Sequence, residues 1–237
     1  MRDGPPAYPR IPYLWPAGSV TGGDRVVPVA ERDSWLRCPV VVEEKLDGAN
    51  VSIWWEDQQL KVAARGGPGA MDRAGQLGPL RARVDRQYPA MRSLLADGAA
   101  LYAEWLWLTH TIVYDQLPDH LIVLDIRLPG RGFAPLPERD ELCRSMLLPV
   151  PPRLFSGVLG TAENLRLLLG RSRFGATAME GIVLRRDDGR VAKVVRAGFV
   201  PAPDDRIARR RNTLAGRVAD DTGAVGADTN DIGDTFR

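Results

Sequence analysis

The chain has 237 residues, of which 44% are hydrophobic, and a formal net charge of +2. This suits one large domain with an ample core, and the near-neutral charge excludes a protein that is basic over its whole surface. Cys38 and Cys143 are isolated, which argues against a disulfide framework or a zinc site. No apolar run approaches the roughly 18 residues of a membrane span. The proline-rich start does not resemble a signal peptide. We therefore expect a cytoplasmic protein with no membrane partner.

Residues 1–24 are rich in proline and glycine and are predicted to form an extended arm packed on the body. The main domain is predicted over residues 25–200, beginning with a short strand at 25–30. Three consecutive antiparallel strands are then predicted at residues 40–45, 50–55 and 60–64. A tight turn at Asp47 and Gly48 would join the first two strands as a hairpin. Residues 65–69 are predicted to form a loop.

The second half of the chain alternates strands with helices. Helical spacing over residues 78–95, broken by Pro89, predicts a helix that buries Leu80, Val84, Met91 and Leu95. The further predictions are strands at 100–108 and 121–127, helices at 136–147 and 161–169, a hairpin of 179–186 with 190–195, and a basic helix at 204–214. This last helix belongs to a basic extension over 201–218, and residues 219–237 are predicted to be disordered.

Many antiparallel strands with helices inserted between them predict an α+β fold. The charged residues of greatest interest all fall on strands or at strand ends. They are Lys45, Arg65, Glu104, Glu180 and Lys193. Rigid strands that converge on one cleft hold side chains in the fixed geometry that catalysis needs.

Lys45 is the candidate nucleophile. Only three of the 32 basic residues are lysines, namely Lys45, Lys61 and Lys193. Arginine keeps its proton in proteins, whereas lysine can lose it when it is buried or near other cations. A nucleophilic amine needs that freedom. The alternative is that Lys45 forms a surface ion pair with a neighbouring carboxylate.

Six short stretches occur in an order that is known from one superfamily. They are residues 44–50 (EKLDGAN), 65–66 (RG), 102–105 (YAEW), 123–126 (VLDI), 179–184 (MEGIVL) and 191–196 (VAKVVR). Together they resemble the covalent nucleotidyltransferases, which include ATP-dependent polynucleotide ligases and mRNA capping enzymes. Asn50 stands where DNA ligases and capping enzymes usually have arginine. It resembles the RNA ligase branch related to the phage enzyme that seals nicks in duplex RNA, as does the stretch 110–119 (HTIVYDQLPD).

The resemblance implies an ATP-dependent RNA ligase with the ligase adenylation-domain fold and no separate OB domain. Lys45 would attack the α-phosphate of ATP, the AMP would move to an RNA 5′-phosphate, and a 3′-hydroxyl would displace it. The implied cofactors are ATP as co-substrate and Mg²⁺ or Mn²⁺. The implied partners are RNA ends, in nicked duplex or single strands, and an end-processing kinase or phosphatase that acts in RNA repair.

The same resemblance assigns the site residues. Catalytic roles fall to Lys45, Asp47 and Lys193; nucleotide binding to Glu43, Glu44, Lys45, Arg65, Glu104, Leu124, Glu180 and Lys193; RNA binding to Asn50 and Arg196; and metal binding to Glu180. Arg65 and Glu104 would hold the ribose hydroxyls, and Lys193 would contact the α-phosphate together with Arg196 or Arg185. Strand alternation points Glu43 into the pocket, where it could read the adenine amino group. Nearby cations are expected to lower the pKa of Lys45.

Each assignment has a structural alternative. The alternatives are a solvated loop residue for Arg65, a strand residue paired with arginine for Glu104, an edge-strand charge for Glu180 and a hairpin surface charge for Lys193. His110 and Asp125 are expected to be structural.

Two positions depart from the family pattern. Leu124 replaces the aromatic residue that often stacks on adenine, and Val195 replaces the second lysine of the last motif. Three other functions therefore stay open: a DNA ligase, a capping-type enzyme, and a non-catalytic nucleotide- or RNA-binding relative. Asn50 argues against the first two, and the charged residues at the predicted site argue against the third.

Overall fold

The computed structural model describes residues 4–15, 24–65, 75–202 and 210–216. Its helices are α1 (Val29–Arg37), α2 (Leu77–Ala96), α3 (Leu136–Ser145) and α4 (Ala162–Leu167). Its strands are β1 (Pro39–Lys45), β2 (Ala49–Glu56), β3 (Gln59–Ala64), β4 (Ala100–Trp105), β5 (Leu121–Leu128), β6 (Gly132–Phe133), β7 (Arg153–Val158), β8 (Gly181–Arg185) and β9 (Val191–Val195). None of the described helices is both long enough and apolar enough to cross a membrane.

The strands form two antiparallel sheets. The four-stranded sheet has the order β7-β1-β8-β9, and the five-stranded sheet has the order β3-β2-β4-β5-β6. Neighbouring strands run antiparallel in both sheets. The predicted α+β class with antiparallel sheets and inserted helices is therefore confirmed.

Helices cover one face of each sheet and bury it. The four predicted core residues of α2 are fully buried in one cluster with Val51 and Ile53 of β2. Trp35 of α1 and Leu165 of α4 are buried against the four-stranded sheet. Contrary to the prediction, α2 continues through Pro89. This proline is exposed, so water can hydrate the backbone carbonyl that loses its partner there.

The predicted hairpin between β1 and β2 is wrong, because these strands belong to different sheets. Asp47 fixes the crossing: its carboxylate accepts hydrogen bonds from the backbone N–H groups of Thr111 at 2.6 Å and Ile112 at 2.8 Å. A Cβ atom on Gly48 would lie 2.6 Å from the carbonyl oxygen of Trp105. Close packing therefore requires glycine at position 48. Asp47 and Gly48 suggested a tight turn in the sequence, but they carry the chain from one sheet to the other.

Other local predictions differ at the ends of elements. The strand predicted at 25–30 is replaced by an isolated bridge at Val26 and by the start of α1. Trp35 is the one buried residue of α1, so this helix has almost no apolar periodicity to detect. The strand predicted at 100–108 ends at Trp105. Strand β7 was not predicted, because its six residues do not alternate between polar and apolar types.

The predicted basic helix over 204–214 is absent from its described part. Residues 210–216 contain no helix, and Arg211 and Leu214 form bridges to Leu108 and Leu117. Residues 203–209 lie outside the described part of the chain, as do the predicted disordered tail at 219–237, the second residue of the stretch 65–66, and residues 16–23 of the predicted arm.

The N-terminal segment 4–15 runs along the edge of the four-stranded sheet at β9. The backbone of Leu14 donates to the carbonyl of Lys193 at 2.8 Å, and Lys193 donates to the carbonyl of Pro12 at 2.8 Å. Tyr8 and Leu14 are buried. The hydroxyl of Tyr8 donates to Asp125 on β5, so this segment contacts both sheets.

A buried charge network joins the two sheets. Glu43 on β1 accepts hydrogen bonds from Arg139 on α3 at 2.5 Å and from Arg185 on β8 at 2.7 Å. Arg185 also donates to Asp125 on β5 at 2.8 and 3.0 Å. All four residues are buried. Buried charges are tolerated only when they are paired and hydrogen-bonded, and this network meets both conditions.

The network also satisfies a bulge in β5. Leu124 has no partner in the ladder between β4 and β5. Its backbone carbonyl instead accepts hydrogen bonds from Arg139 at 2.9 Å and Arg185 at 3.2 Å. The two arginines therefore replace the ladder hydrogen bond that the bulge removes.

The network predicts a large stability cost when one arginine is removed. Arg139→Met should lower the free energy of unfolding by about 3–5 kcal/mol, because Glu43 loses one of its two cationic partners inside the protein. Denaturant titration measures the change. The matched control is Arg131→Met, which breaks the exposed pair with Glu138 and should cost about 1 kcal/mol or less. Equal effects of the two substitutions would contradict the importance of the network.

Candidate active site

A cavity of about 560 Å³ lies between the two sheets. The four-stranded sheet contributes Glu43, Glu44, Lys45, Val183, Arg185 and Lys193; the five-stranded sheet and its loops contribute Ala49, Asn50, Ala64, Arg65, Glu104 and Leu124; and the N-terminal segment contributes Tyr8, Pro9, Arg10 and Ile11. Gln76 and His110 also line it. Most of the predicted site residues therefore meet in one cavity, whereas Asp47, Glu180 and Arg196 are not among the lining residues.

Strand register explains why these side chains face the cavity. Glu43 and Lys45 are two residues apart on β1 and so share a face. Across the ladders, Lys45 pairs with Gly181, and Glu43 pairs with Val183, which pairs in turn with Lys193. Because β1, β8 and β9 are neighbours in one sheet, Lys45 and Lys193 lie in rows of paired residues that are two residues apart along β1.

Lys45 is surrounded by carboxylates. Its Nζ atom lies 2.7 Å from Oε1 of Glu180. Burial alone would lower the pKa of Lys45, but the charges of Glu180, Glu104 and Asp47 outweigh it and raise this pKa above its usual value. The expectation that nearby cations lower the pKa of Lys45 is therefore wrong for the free protein. Its amine carries a proton at neutral pH.

The pKa of Glu104 is also raised at this site. Burial is the main cause that raises its pKa to about 7, with Glu180 and Asp47 adding to the rise and Lys45 opposing it. Its Oε1 atom accepts a hydrogen bond from the backbone N–H of Gly48 at 3.0 Å. Burial also raises the pKa of Glu180, against the opposing charge of Lys45. Three carboxylates, those of Glu180, Glu104 and Asp47, thus surround the half-buried ammonium group of Lys45.

Lys193 differs from Lys45 in its surroundings. Its Nζ atom lies 3.9 Å from the centre of the Tyr13 ring. Burial, together with the charge of Lys45, lowers the pKa of Lys193. Val195, which stands where the resembling motif often has a second lysine, is buried beside Leu46 in an apolar cluster. Arg196 donates from Nε to the carbonyl of Met179 at 3.0 Å.

Arg65 and Asn50 occupy the ends of β3 and β2. The guanidinium of Arg65 donates to the carbonyls of Tyr8 at 2.7 Å and Pro9 at 3.0 Å, and it lies 5.9 Å from the centre of the Tyr8 ring. Asn50 pairs with Glu104 in the ladder between β2 and β4. A ligand that binds Arg65 must exchange its contacts for those that the N-terminal segment now makes.

Three of the predicted carboxylates are engaged by the protein itself. Glu43 is held by two arginines, so it has little capacity left to read an adenine amino group. Glu44 accepts hydrogen bonds from the hydroxyl of Ser172 at 2.5 Å and the backbone N–H of Arg173 at 2.8 Å. Asp47 accepts two backbone hydrogen bonds, as described above. Their side chains hold neighbouring loops and strands in place around the cavity.

The cavity also has an apolar end. Leu124 from the five-stranded sheet and Val183 from the four-stranded sheet both line it. The side chain of Leu124 packs against a cluster formed by Tyr8 and Tyr102. The two sheets therefore each contribute one apolar side chain to the cavity lining.

Sequence reasoning missed several residues of the site, among them Tyr8, Gln76 and Arg139. Arg185 was considered only as a phosphate contact, yet its guanidinium is committed to Glu43 and Asp125. Its place two residues after Val183, on the same face of β8, was the available signal. Arg139 gave no signal, because only the fold turns a helical arginine inward.

The carboxylates around Lys45 fit a cation that arrives with a phosphate. Within the described residues, no group of three or more His, Cys, Asp or Glu side chains is placed to hold a metal ion. Mg²⁺ commonly binds through one or two carboxylates and completes its shell with substrate phosphate oxygens and water. Glu180, whose pKa is raised by burial, fits this mode, because a cation would relieve the crowding of negative charge.

The fold resembles that of solved RNA ligase structures at low sequence identity. No curated protein sequence matches the chain. Among solved structures, a Naegleria gruberi RNA ligase variant with AMP and Mn matches at 18% identity and a TM-score of 0.49, covering 69% of this chain and 51% of that one. The same ligase with PPi matches at 19% identity and a TM-score of 0.47, covering 68% and 50%. The chain thus spans about half the length of the structures that it matches.

The family comparison covers most of the chain. A family model described as RNA ligase matches residues 38–197, which include Lys45, Glu104, Glu180 and Lys193. The chain belongs to the RNA ligase family.

Proposed function

We propose that the protein is an ATP-dependent RNA ligase that joins an RNA 3′-hydroxyl to a 5′-phosphate through a lysyl-AMP intermediate on Lys45. The observation that carries the proposal is the position of Lys45: a lysine of an RNA ligase family member lies in a cavity between two sheets, 2.7 Å from a buried glutamate. DNA ligase and capping-type activities are less consistent with Asn50 and with this family.

In the first step the amine of Lys45 attacks the α-phosphorus of ATP. A P–N bond forms, the bond to pyrophosphate breaks, and Nζ loses a proton, which water can accept because the side chain is 25% exposed. Mg²⁺ or Mn²⁺, held by Glu180 and phosphate oxygens, would offset the carboxylate charge that keeps Lys45 protonated and would neutralise the departing pyrophosphate. Lys193 also lines the cavity, in a row of paired residues that is two residues along β1 from the row that contains Lys45. Its ammonium group would contact the α-phosphate.

The nucleotide would lie across both sheets. Its base would lie against Leu124 and Val183, which both line the cavity, and Arg65 and Glu104 would hold the ribose hydroxyls. Binding would transfer the guanidinium of Arg65 from the backbone carbonyls of Tyr8 and Pro9 to the sugar. The guanidinium would therefore have hydrogen-bond acceptors in both states.

The later steps need an RNA end at the same cavity. The AMP would pass to a 5′-phosphate, and the 3′-hydroxyl of a second end would displace it. Asn50 lines the cavity beside Glu104 and would contact the RNA. Arg196 and the four arginines within residues 206–211 would contact phosphates. A kinase or phosphatase that prepares the ends, and a cytoplasmic role in RNA repair, complete the proposal.

Covalent labelling tests the enzyme assignment. After incubation with Mg²⁺ or Mn²⁺ and α-labelled ATP, the denatured protein should carry the label. Lys45→Ala should abolish labelling, because it removes the amine that forms the P–N bond. Lys61→Ala is the matched control: this lysine contacts Gln59 on β3, outside the cavity, and its loss should leave labelling unchanged. Label from GTP alone would indicate a capping-type enzyme, and no label from either nucleotide would refute catalysis.

The raised pKa of Glu104 predicts a pH-dependent stability. The pKa rises from 4.5 to about 7, so the folded free protein binds this proton more tightly than the unfolded chain does. The contribution of Glu104 protonation to the free energy of unfolding is fully present below about pH 4.5 and is lost as the pH rises through about 7. The loss is about 3 kcal/mol at most. Glu104→Gln keeps the oxygen that faces Gly48 but cannot titrate.

Denaturant unfolding at pH 5 and pH 8 measures this difference. The wild-type protein should lose more free energy of unfolding between the two pH values than Glu104→Gln does. Comparing the two proteins removes the contributions that other carboxylates make to both. An identical pH dependence for both proteins would show that Glu104 does not titrate in this range.

A further inference from the structure

Asn212 uses the full hydrogen-bonding capacity of its side chain. Its Oδ1 atom accepts hydrogen bonds from Oγ1 of Thr109 and from the backbone N–H of Tyr114, both at 2.9 Å. Its Nδ2 atom donates to the carbonyl oxygens of Leu106 at 2.9 Å and Leu108 at 3.2 Å. A side-chain amide has two donor hydrogens and two acceptor lone pairs, so all of them are used here. The residue is 3% exposed, which shields these hydrogen bonds from water.

All of these partners lie in one loop. Residues 106–120 join β4 to β5, and we call them the β4–β5 loop. The backbone of Asn212 contacts the same loop: its N–H donates to the carbonyl of Trp107 at 3.1 Å, and its carbonyl oxygen lies 3.0 Å from Nε2 of His120. Asn212 belongs to the described segment 210–216, which lies beyond the end of the family match. A segment outside the family match therefore holds a loop inside it.

The β4–β5 loop in turn holds Asp47. The hydroxyl of Tyr114 accepts a hydrogen bond from the backbone N–H of Asp47 at 2.9 Å. The carboxylate of Asp47 accepts the backbone hydrogen bonds of Thr111 and Ile112 described above. Tyr114 is fully buried, and it donates its own backbone N–H to Asn212. Tyr114 therefore links Asn212 directly to Asp47.

The position of Lys45 depends on this attachment. Lys45 is the last residue of β1, and Asp47 lies two residues further along the chain. Leu46, between them, is buried in the same apolar cluster as Tyr114. A displacement of Asp47 would therefore move the backbone from which the side chain of Lys45 extends. Misplacing a reacting atom by about 1 Å can slow a reaction by about a hundredfold.

We propose that Asn212 is a positioning residue for the adenylylation of Lys45, which it influences through Tyr114 and Asp47. The inference rests on the proposed ligase function. Asn212 is not among the residues that line the cavity, so it acts on the reaction only through its neighbours. Its loss should therefore slow formation of the P–N bond more than it weakens ATP binding. The alternative is that Asn212 contributes to the stability of the fold alone.

Single-turnover adenylylation with Mg²⁺ and α-labelled ATP separates these two roles. Asn212→Ala should lower the rate at saturating ATP by about tenfold or more, while the half-saturating ATP concentration changes by less than about threefold. Leu95→Ala is the matched control. Leu95 is fully buried on α2 and does not line the cavity, so its truncation destabilises the core and should leave both values within about twofold of wild type. Equal losses of rate in the two variants would overturn the positioning role.

A double substitution tests whether the effect passes through Tyr114. Tyr114→Phe removes only the hydroxyl that binds the backbone of Asp47. If Asn212 acts through this contact, Asn212→Ala should slow adenylylation at least about threefold less in Tyr114→Phe than in the wild-type protein, because the two substitutions then disturb one contact. Fold-changes that simply multiply in the double variant would overturn the route through Tyr114.

Hydrogen exchange gives a readout that needs no catalysis. The backbone N–H groups of Asp47, Thr111 and Ile112 are the donors that connect Asp47 with the β4–β5 loop. Their exchange should quicken at least about tenfold more in Asn212→Ala than in Leu95→Ala. Equal exchange in the two variants would overturn the role of Asn212. Absence of adenylylation in the wild-type protein would instead refute the ligase function, and the exchange measurement would still decide whether Asn212 holds Asp47.

Discussion

The buried charges of Glu43, Asp125, Arg139 and Arg185 hold the two sheets in a fixed relation. Arg185 from one sheet pairs with Asp125 from the other, and Glu43 joins both arginines. The same arginines satisfy the carbonyl of Leu124, whose bulge shapes one wall of the cavity. Because the cavity lies between the sheets, this network fixes the positions of the two sheets that form its walls. The network also gives Glu43 a structural role, although this residue lines the cavity.

Lys45 shows how the cavity combines burial with excess negative charge. Glu180, Glu104 and Asp47 raise the pKa of Lys45 and keep its amine protonated in the free protein, while burial raises the pKa values of Glu104 and Glu180. A resting state of this kind is unreactive toward electrophiles. In the proposed mechanism the amine would become reactive when a cation and a phosphate enter together, because the cation would compete with Lys45 for the carboxylates. The proposal thereby links activation of the nucleophile to the arrival of the nucleotide.

Much of the fold followed from local patterns, because α2, β2 and β4 carry clear periodicity. The ordered motifs also pointed to Lys45 on β1, Glu104 on β4 and Lys193 on β9, three residues that line one cavity. Local patterns did not predict which strands pair with each other. Asp47 and Gly48 resemble a tight turn, yet they carry the chain from one sheet to the other instead of reversing it. The inward arginine at 139 was equally hidden, since its ion pair with Glu43 joins residues 96 positions apart in the sequence. Burial of polar groups is a property of the whole fold, and local propensity does not encode it.

The two cavity lysines offer the most direct test of the account. The pKa of Lys193 is lowered and that of Lys45 is raised, so basicity alone would favour Lys193 as the nucleophile. The account assigns the bond to Lys45 on geometry and on activation by a cation. Mass spectrometric peptide mapping after incubation with ATP and Mg²⁺ decides between them, because the chain has only three lysines. One adenylyl group on the peptide that contains Lys45 is the predicted result, and an adenylyl group on Lys193 would contradict it.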